Sequence, residues 1–94
     1  MVVSVKFVGS FRGASGKDKL TLRFEWPVAL TTLVEKTVEQ MPELRSSLID
    51  PESGEPRKTM LVLVNGREIS VLNGLKTRVR DEDEVVFVPV VHGG

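Results

Sequence analysis

The group in this sequence best placed to react is a main-chain carboxylate. The chain ends Val91-His92-Gly93-Gly94, and a terminal α-carboxylate is ionised and nucleophilic at neutral pH. Glycines carry no side chains, so the backbone before that carboxylate can thread a narrow channel and approach a nucleotide phosphate closely. The five residues past Pro89 reach about 17 Å when extended, enough to enter a partner's active site while the domain stays outside. A carboxylate that attacks ATP becomes an acyl-adenylate, a mixed anhydride that sulfur or an amine can capture. The same two glycines are also what a frayed terminus tolerates.

Other chemistry is scarce. There is no cysteine, which removes disulfides, a thiolate nucleophile and Cys-ligated metal sites. His92 is the only histidine and there is no tyrosine, so a conventional acid–base apparatus is missing. With no third group to orient it, His92 reads as a partner-recognition residue or an inert solvated side chain. Gly16-Lys17 invites a phosphate-loop reading, but that pattern needs glycine at Phe11 and Ser or Thr at Asp18. Lys76, Arg78 and Arg80 alternate as a basic stripe, read here as a solvated face. Asp81-Glu82-Asp83-Glu84 reads as a turn, and Glu35 with Glu39 as soluble helix neighbours, rather than as metal ligands.

Bulk properties agree. Ninety-four residues with thirteen basic and thirteen acidic side chains are expected to make one domain, residues 1–94, without a net field for nucleic acid or membrane. The first residues lack the pattern of a signal peptide, and no apolar run approaches the roughly 18 residues of a membrane span. A cytoplasmic location is expected.

The elements that must hold the tail can be read from periodicity. Val3, Val5 and Phe7 alternate with Ser4 and Lys6 as a strand with one wet face. Over residues 19–26, Leu20, Leu22, Phe24 and Trp26 are predicted to point inward, with an open loop joining the two strands as a hairpin. Leu30, Leu33, Val34, Val38 and Met41 form a helical stripe, with Thr32 and Glu35 fitting a capping box and Pro42 marking the stop. Residues 50–58 form an exposed polar loop. Met60–Val64 and Val85–Val88 are uninterrupted apolar runs, predicted to be central strands covered on both faces. Asn65-Gly66 signals a tight hairpin into a short strand, Arg67–Ile69. The order describes an α+β mixed sheet with one main helix, followed by residues 90–94 as a projecting tail.

On several segments the chain resembles the beta-grasp sulfur carriers and ubiquitin-like modifiers. Val5-Lys6-Phe7, Phe11-Arg12, Gly16-Lys17-Asp18 and Leu20 look like the small subunit of molybdopterin synthase (MoaD). So do Leu63-Val64-Asn65-Gly66-Arg67 and Asp83 through Val91. His92-Gly93-Gly94 is closer to the ubiquitin-related modifier that supplies sulfur for tRNA thiolation, and small archaeal modifier proteins share features of both. Glu82 stands where the family usually has glycine in an Asp-Gly-Asp turn. The resemblance implies a beta-grasp fold and activation of Gly94 by a ubiquitin-activating-type adenylating enzyme that uses ATP and magnesium. The adenylate would become a thiocarboxylate and donate sulfur through a molybdopterin synthase large subunit or a tRNA-thiolating enzyme. Alternatively it would be conjugated to target-protein lysines. Gly93, His92, Val91, Val90 and Pro89 would form the recognition tail, the chain itself being a carrier and not an enzyme. A non-conjugating beta-grasp binding module is the remaining alternative.

Overall fold

The alternation of Val3, Val5 and Phe7 with Ser4 and Lys6 becomes the first strand of the computed structural model, which describes residues 1–90. This strand, β1 (Val2–Phe7), buries the three apolar side chains completely. It runs antiparallel to β2 (Lys19–Arg23), from Val2 opposite Arg23 to Lys6 opposite Lys19. The hairpin is present, but its connection is not an open loop. Ser10–Ser15 wind into a short helix, α1, closed by Gly16 at φ +70°, whose N–H donates to the Arg12 carbonyl. Phe11 accounts for the turn of helix: it buries its ring while Arg12, Gly13 and Ala14 remain exposed.

The expectation for β2 holds up to Phe24 and fails at Trp26. Leu22 is buried and Leu20 and Phe24 are half-buried, whereas Trp26 is 66% exposed. The β1 ladder reaches only Val2 opposite Arg23, with one further bond from the Phe24 N–H to the Met1 carbonyl, so Trp26 lies beyond the paired part of the strand. The backbone bends away into β3 (Val28–Ala29), which pairs with β6 (Arg78–Val79) in a separate two-stranded sheet.

The helical stripe is confirmed. In α2 (Leu30–Gln40), Leu30, Leu33, Val34 and Val38 are buried, and Met41 is buried just past its end. The capping box is not formed. The helix begins directly after Ala29, with no side-chain cap, because β3 feeds into it without a loop. The Leu30 N–H, unpaired within the helix, donates instead to the Thr77 carbonyl at 2.9 Å. Pro42 does end the helix, starting a tight turn over Pro42–Leu44 that leads into α3 (Arg45–Leu48). The polar loop after it is mostly exposed; Asp50 and Arg57 are half-buried, and Pro56 is buried in an isolated bridge to Ile49.

The remaining strands are β4 (Met60–Val64), β5 (Arg67–Glu68) and β7 (Glu84–Pro89). Asn65 and Gly66, at φ +51° and +82°, make the tight turn that the Asn-Gly pair signals. The five-stranded sheet has the order β2-β1-β7-β4-β5. β7 lies parallel to β1 and antiparallel to β4, giving the mixed beta-grasp sheet. Phe87 of β7 stacks on Phe7 of β1, ring centroids 6.2 Å apart.

One expectation about β4 and β7 is corrected. Neither strand is covered on both faces. Met60, Val62, Val64, Val85 and Phe87 are buried in the core, but Leu61 is 42% exposed and Leu63, Val86 and Val88 are only half-buried. β7 is the central strand; β4 lies next to the short edge strand β5. No helix among the described residues is long and apolar enough to cross a membrane.

Candidate functional site

The site begins where β7 runs out. Proline has no N–H for a ladder, and Pro89 is the last paired residue, opposite Met60. One more contact follows: the Val90 N–H donates to the Thr59 carbonyl at 3.3 Å. On the other side Gly9, at φ +58°, lies so close that a Cβ there would come within 3.1 Å of Pro89 Cγ. The exit is therefore held by the start of β4 and by the turn that opens α1, and Val90 emerges exposed. Of the proposed tail, Pro89 and Val90 are placed here; Val91, His92, Gly93 and Gly94 lie outside the described residues.

Next to the exit is the open face of the sheet. Leu61 stands opposite Val88 and Leu63 opposite Val86, so four apolar side chains form a partly exposed patch leading to Pro89. Lys6 and Glu84 border it, joined across β1 and β7 at 3.1 Å. Sequence reasoning missed this patch by assigning both strands to a doubly covered position. The signal was present: the two runs hold more apolar residues than one buried face can use, so some of them must lie on the open face.

The other candidates are absorbed by the fold. Lys76, Arg78 and Arg80 are exposed, with Thr77 and Val79 buried between them. In the acidic run, Asp81 accepts from the Val2 N–H and Asp83 from the Arg80 N–H, each at 2.7 Å. Asp83 also accepts from the Asn65 side-chain N–H, while the Asn65 side-chain oxygen Oδ1 accepts from the Glu84 N–H, both at 2.9 Å. These groups pin the turn to β1 and to the β4–β5 hairpin. Glu82, at φ +68°, occupies the left-handed conformation that glycine adopts without penalty. The turn geometry is thus kept without the glycine. Among the described residues no group of three or more His, Cys, Asp or Glu side chains is placed to hold a metal ion.

With this geometry in hand, similarity to known proteins is informative. Residues 5–94 match the ThiS family. Over 94 residues, all of both chains, the sequence is 30% identical to small archaeal modifier protein 3 of Haloferax volcanii. The fold is similar to the crystal structure of SAMP1 from Haloferax volcanii, with a TM-score of 0.88 at 20% identity over the whole of both chains. It is similar too to the solution structure of Urm1 from Trypanosoma brucei, with a TM-score of 0.79 at 28% identity, covering 99% of this chain and 95% of that one.

Proposed function

Because the chain belongs to the ThiS family of ubiquitin-like sulfur carriers and modifiers, we propose that it carries sulfur on the carboxylate of Gly94. The observation that supports this most is the extent of the family match, which runs to residue 94 and so takes in the glycine pair. In this reading a ubiquitin-activating-type enzyme, using ATP and magnesium, supplies the nucleotide chemistry. A Gly94 carboxylate oxygen attacks the α-phosphorus, the bond to pyrophosphate breaks, and an acyl-adenylate forms. A hydrosulfide-equivalent nucleophile then attacks the carbonyl carbon and AMP leaves, producing the thiocarboxylate.

The residues of the chain contribute positioning. Pro89, clamped between Gly9 and Met60, sets the direction in which the tail departs. Val90 and Val91 add backbone groups for pairing with the activating enzyme, and His92 and Gly93 thread its channel. The patch of Leu61, Leu63, Val86 and Val88 gives that enzyme an apolar surface beside the tail. The acceptor of the sulfur is the large subunit of a molybdopterin synthase or a tRNA-thiolating enzyme. Throughout, the chain is cargo holder and not catalyst.

Intact mass after incubation with the activating enzyme, ATP and a sulfur donor tests the proposal. Replacement of one oxygen by sulfur at Gly94 is expected; an unchanged mass refutes it. A second reading is favoured by the full-length similarity to a protein named as a modifier. The same adenylate would then meet a lysine amine of a target protein, forming an isopeptide bond as AMP departs. Gly-Gly remnants on lysines of other proteins would distinguish it. Deleting Gly93-Gly94 abolishes both routes; retention of full function by the truncated chain would leave only a binding module.

A further inference from the structure

Asparagine is followed by glycine twice in the chain, at Asn65-Gly66 and at Asn73-Gly74, and such a pair carries a reaction of its own. The glycine nitrogen can attack the side-chain Cγ of the asparagine, because no β-carbon on glycine hinders the approach. The reaction needs an asparagine side chain free to rotate, a glycine N–H without an acceptor, and a main chain able to turn about the asparagine ψ. The local sequences are closely matched, with an aliphatic residue, Val64 or Leu72, before each pair. Both asparagines are exposed, and among the described residues neither glycine N–H has an acceptor. The difference lies in how each asparagine is held.

Asn65 is fixed through both its side chain and its backbone. Its side-chain N–H donates to Asp83 and its Oδ1 accepts from the Glu84 N–H, both at 2.9 Å, while its own backbone N–H donates to the Glu84 carbonyl at 2.8 Å. Its main chain is the corner of the β4–β5 hairpin, with Val64 paired to Arg67 directly across the turn. Asn73 precedes the tight turn Gly74–Lys76 and is tied through its backbone alone. Its N–H donates to Thr77 Oγ1 at 3.0 Å and its carbonyl accepts from the Lys76 N–H at 3.1 Å; its side chain makes no hydrogen bond among the described residues. Gly74, at φ +56°, has nothing within 4 Å of the position a Cβ would take, so the residue that must swing onto Asn73 has room to do so.

We propose that Asn73 is a site of spontaneous deamidation, and that the fold protects Asn65 from the same reaction. Hydroxide takes the Gly74 N–H proton, the nitrogen forms a bond to Asn73 Cγ, and the bond from Cγ to the side-chain nitrogen breaks. That nitrogen leaves as ammonia, with a proton drawn from water that regenerates hydroxide, and a cyclic succinimide remains. Water then opens the ring. Attack at Cγ restores the ordinary main chain and leaves aspartate at position 73. Attack at the main-chain carbonyl leaves isoaspartate, whose Cβ and Cγ now lie in the main chain and lengthen it. Either product adds a negative charge to a turn closed by Thr77, whose carbonyl holds the first N–H of α2 at 2.9 Å. The modification is therefore felt where β6 and α2 meet.

Peptide mapping by mass spectrometry tests this on the whole chain, aged at mildly alkaline pH with and without guanidinium chloride. In the folded protein Asn73 should convert, read as replacement of an NH by an oxygen, and an isoaspartyl methyltransferase should label the same peptide. Asn65 should convert at least roughly tenfold more slowly, since its side-chain hydrogen bonds must open before it can react. In denaturant those bonds are gone and the two rates should come together. Asn73→Gln, whose longer side chain cannot close the same ring, should remove the fast conversion. Asp83→Ala releases the Asn65 side-chain N–H and should speed conversion at Asn65 alone; should that variant disturb its turn, the folded and denatured rates of the unaltered chain decide the matter. Deleting Gly93-Gly94 must leave both rates as they were, so this proposal and the carrier reading fail separately. It is overturned if Asn65 converts as fast as Asn73 in the folded protein, if Asn73 stays intact there while converting in denaturant, or if the gap between them persists unchanged in denaturant.

Discussion

Replacing Glu82 by glycine should make the protein more stable, although it removes a side chain and adds a flexible residue. Glu82 is the third residue of a tight turn in which the Asp83 N–H donates to the Arg80 carbonyl at 3.1 Å, and its φ is +68°. For an L-residue that conformation costs about 1–2 kcal/mol. Glycine avoids the cost but loses roughly 0.5–1 kcal/mol more in backbone entropy on folding. The difference leaves about 0.5–1 kcal/mol in favour of Glu82→Gly. Nothing opposes it locally: the side chain is exposed, and the group that ties the turn to β1 is the Glu82 N–H, which donates to the Val2 carbonyl at 2.8 Å and survives the change. For a protein of this size 1 kcal/mol moves Tm by about 4–8 °C, so a rise of roughly 2–8 °C is expected in a thermal melt. Glu82→Ala keeps the strain and should leave Tm nearly where it was. A fall in Tm for Glu82→Gly, with Glu82→Ala unchanged, would refute the reasoning. It would mean that the backbone entropy glycine loses on folding outweighs the relief of the φ angle at this position.

Three further outcomes follow from the same contacts. Asn65→Ala loses the bonds to Asp83 and Glu84 and the tolerance for φ +51°; about 1–2 kcal/mol should go, and Asn65→Gly, which keeps the φ, should lose less in chemical denaturation. Phe87→Ala empties a fully buried site stacked on Phe7 and should cost about 3–5 kcal/mol by the same assay, enough to unfold a marginal protein. Leu61→Asp, on the open face, should change stability by less than about 0.5 kcal/mol. It should raise the concentration half-saturating the activating enzyme roughly tenfold; an unchanged value would remove the apolar patch from the proposed interface.

Much of the scaffold was legible because period and burial coincide. The stripe Leu30, Leu33, Val34, Val38 and Met41 is the buried face of α2, and Asn65-Gly66 is the tight turn its two residue types demand. What escaped was decided by distant parts of the chain. Trp26 alternates correctly with Phe24 yet is exposed, because β1 ends before it. Thr32 has the right spacing for a capping box, but Thr77, far along the sequence, takes the helix's first N–H. α1 was hidden by its glycines; only the buried Phe11 hinted that the loop folds back. Of the candidate site, Pro89 as the end of the sheet was readable, while the patch around Leu61 and the clamp at Gly9 required the strand order. That β1 would neighbour β7 is not written in either segment.

The parallel pairing of β1 with β7 joins Ser4 to Glu84 across nearly the whole chain. Long-range pairings of this kind close late in folding, after the entropy of a long loop has been overcome. On a ribosome the middle of the sheet must stay vacant, with β1 and β4 waiting, until the closing strand has been synthesised. A nascent chain that stalls before Phe87 lacks its central strand and remains open to proteolysis. The sheet therefore closes as one event, when β7 pairs with β1 and β4 together.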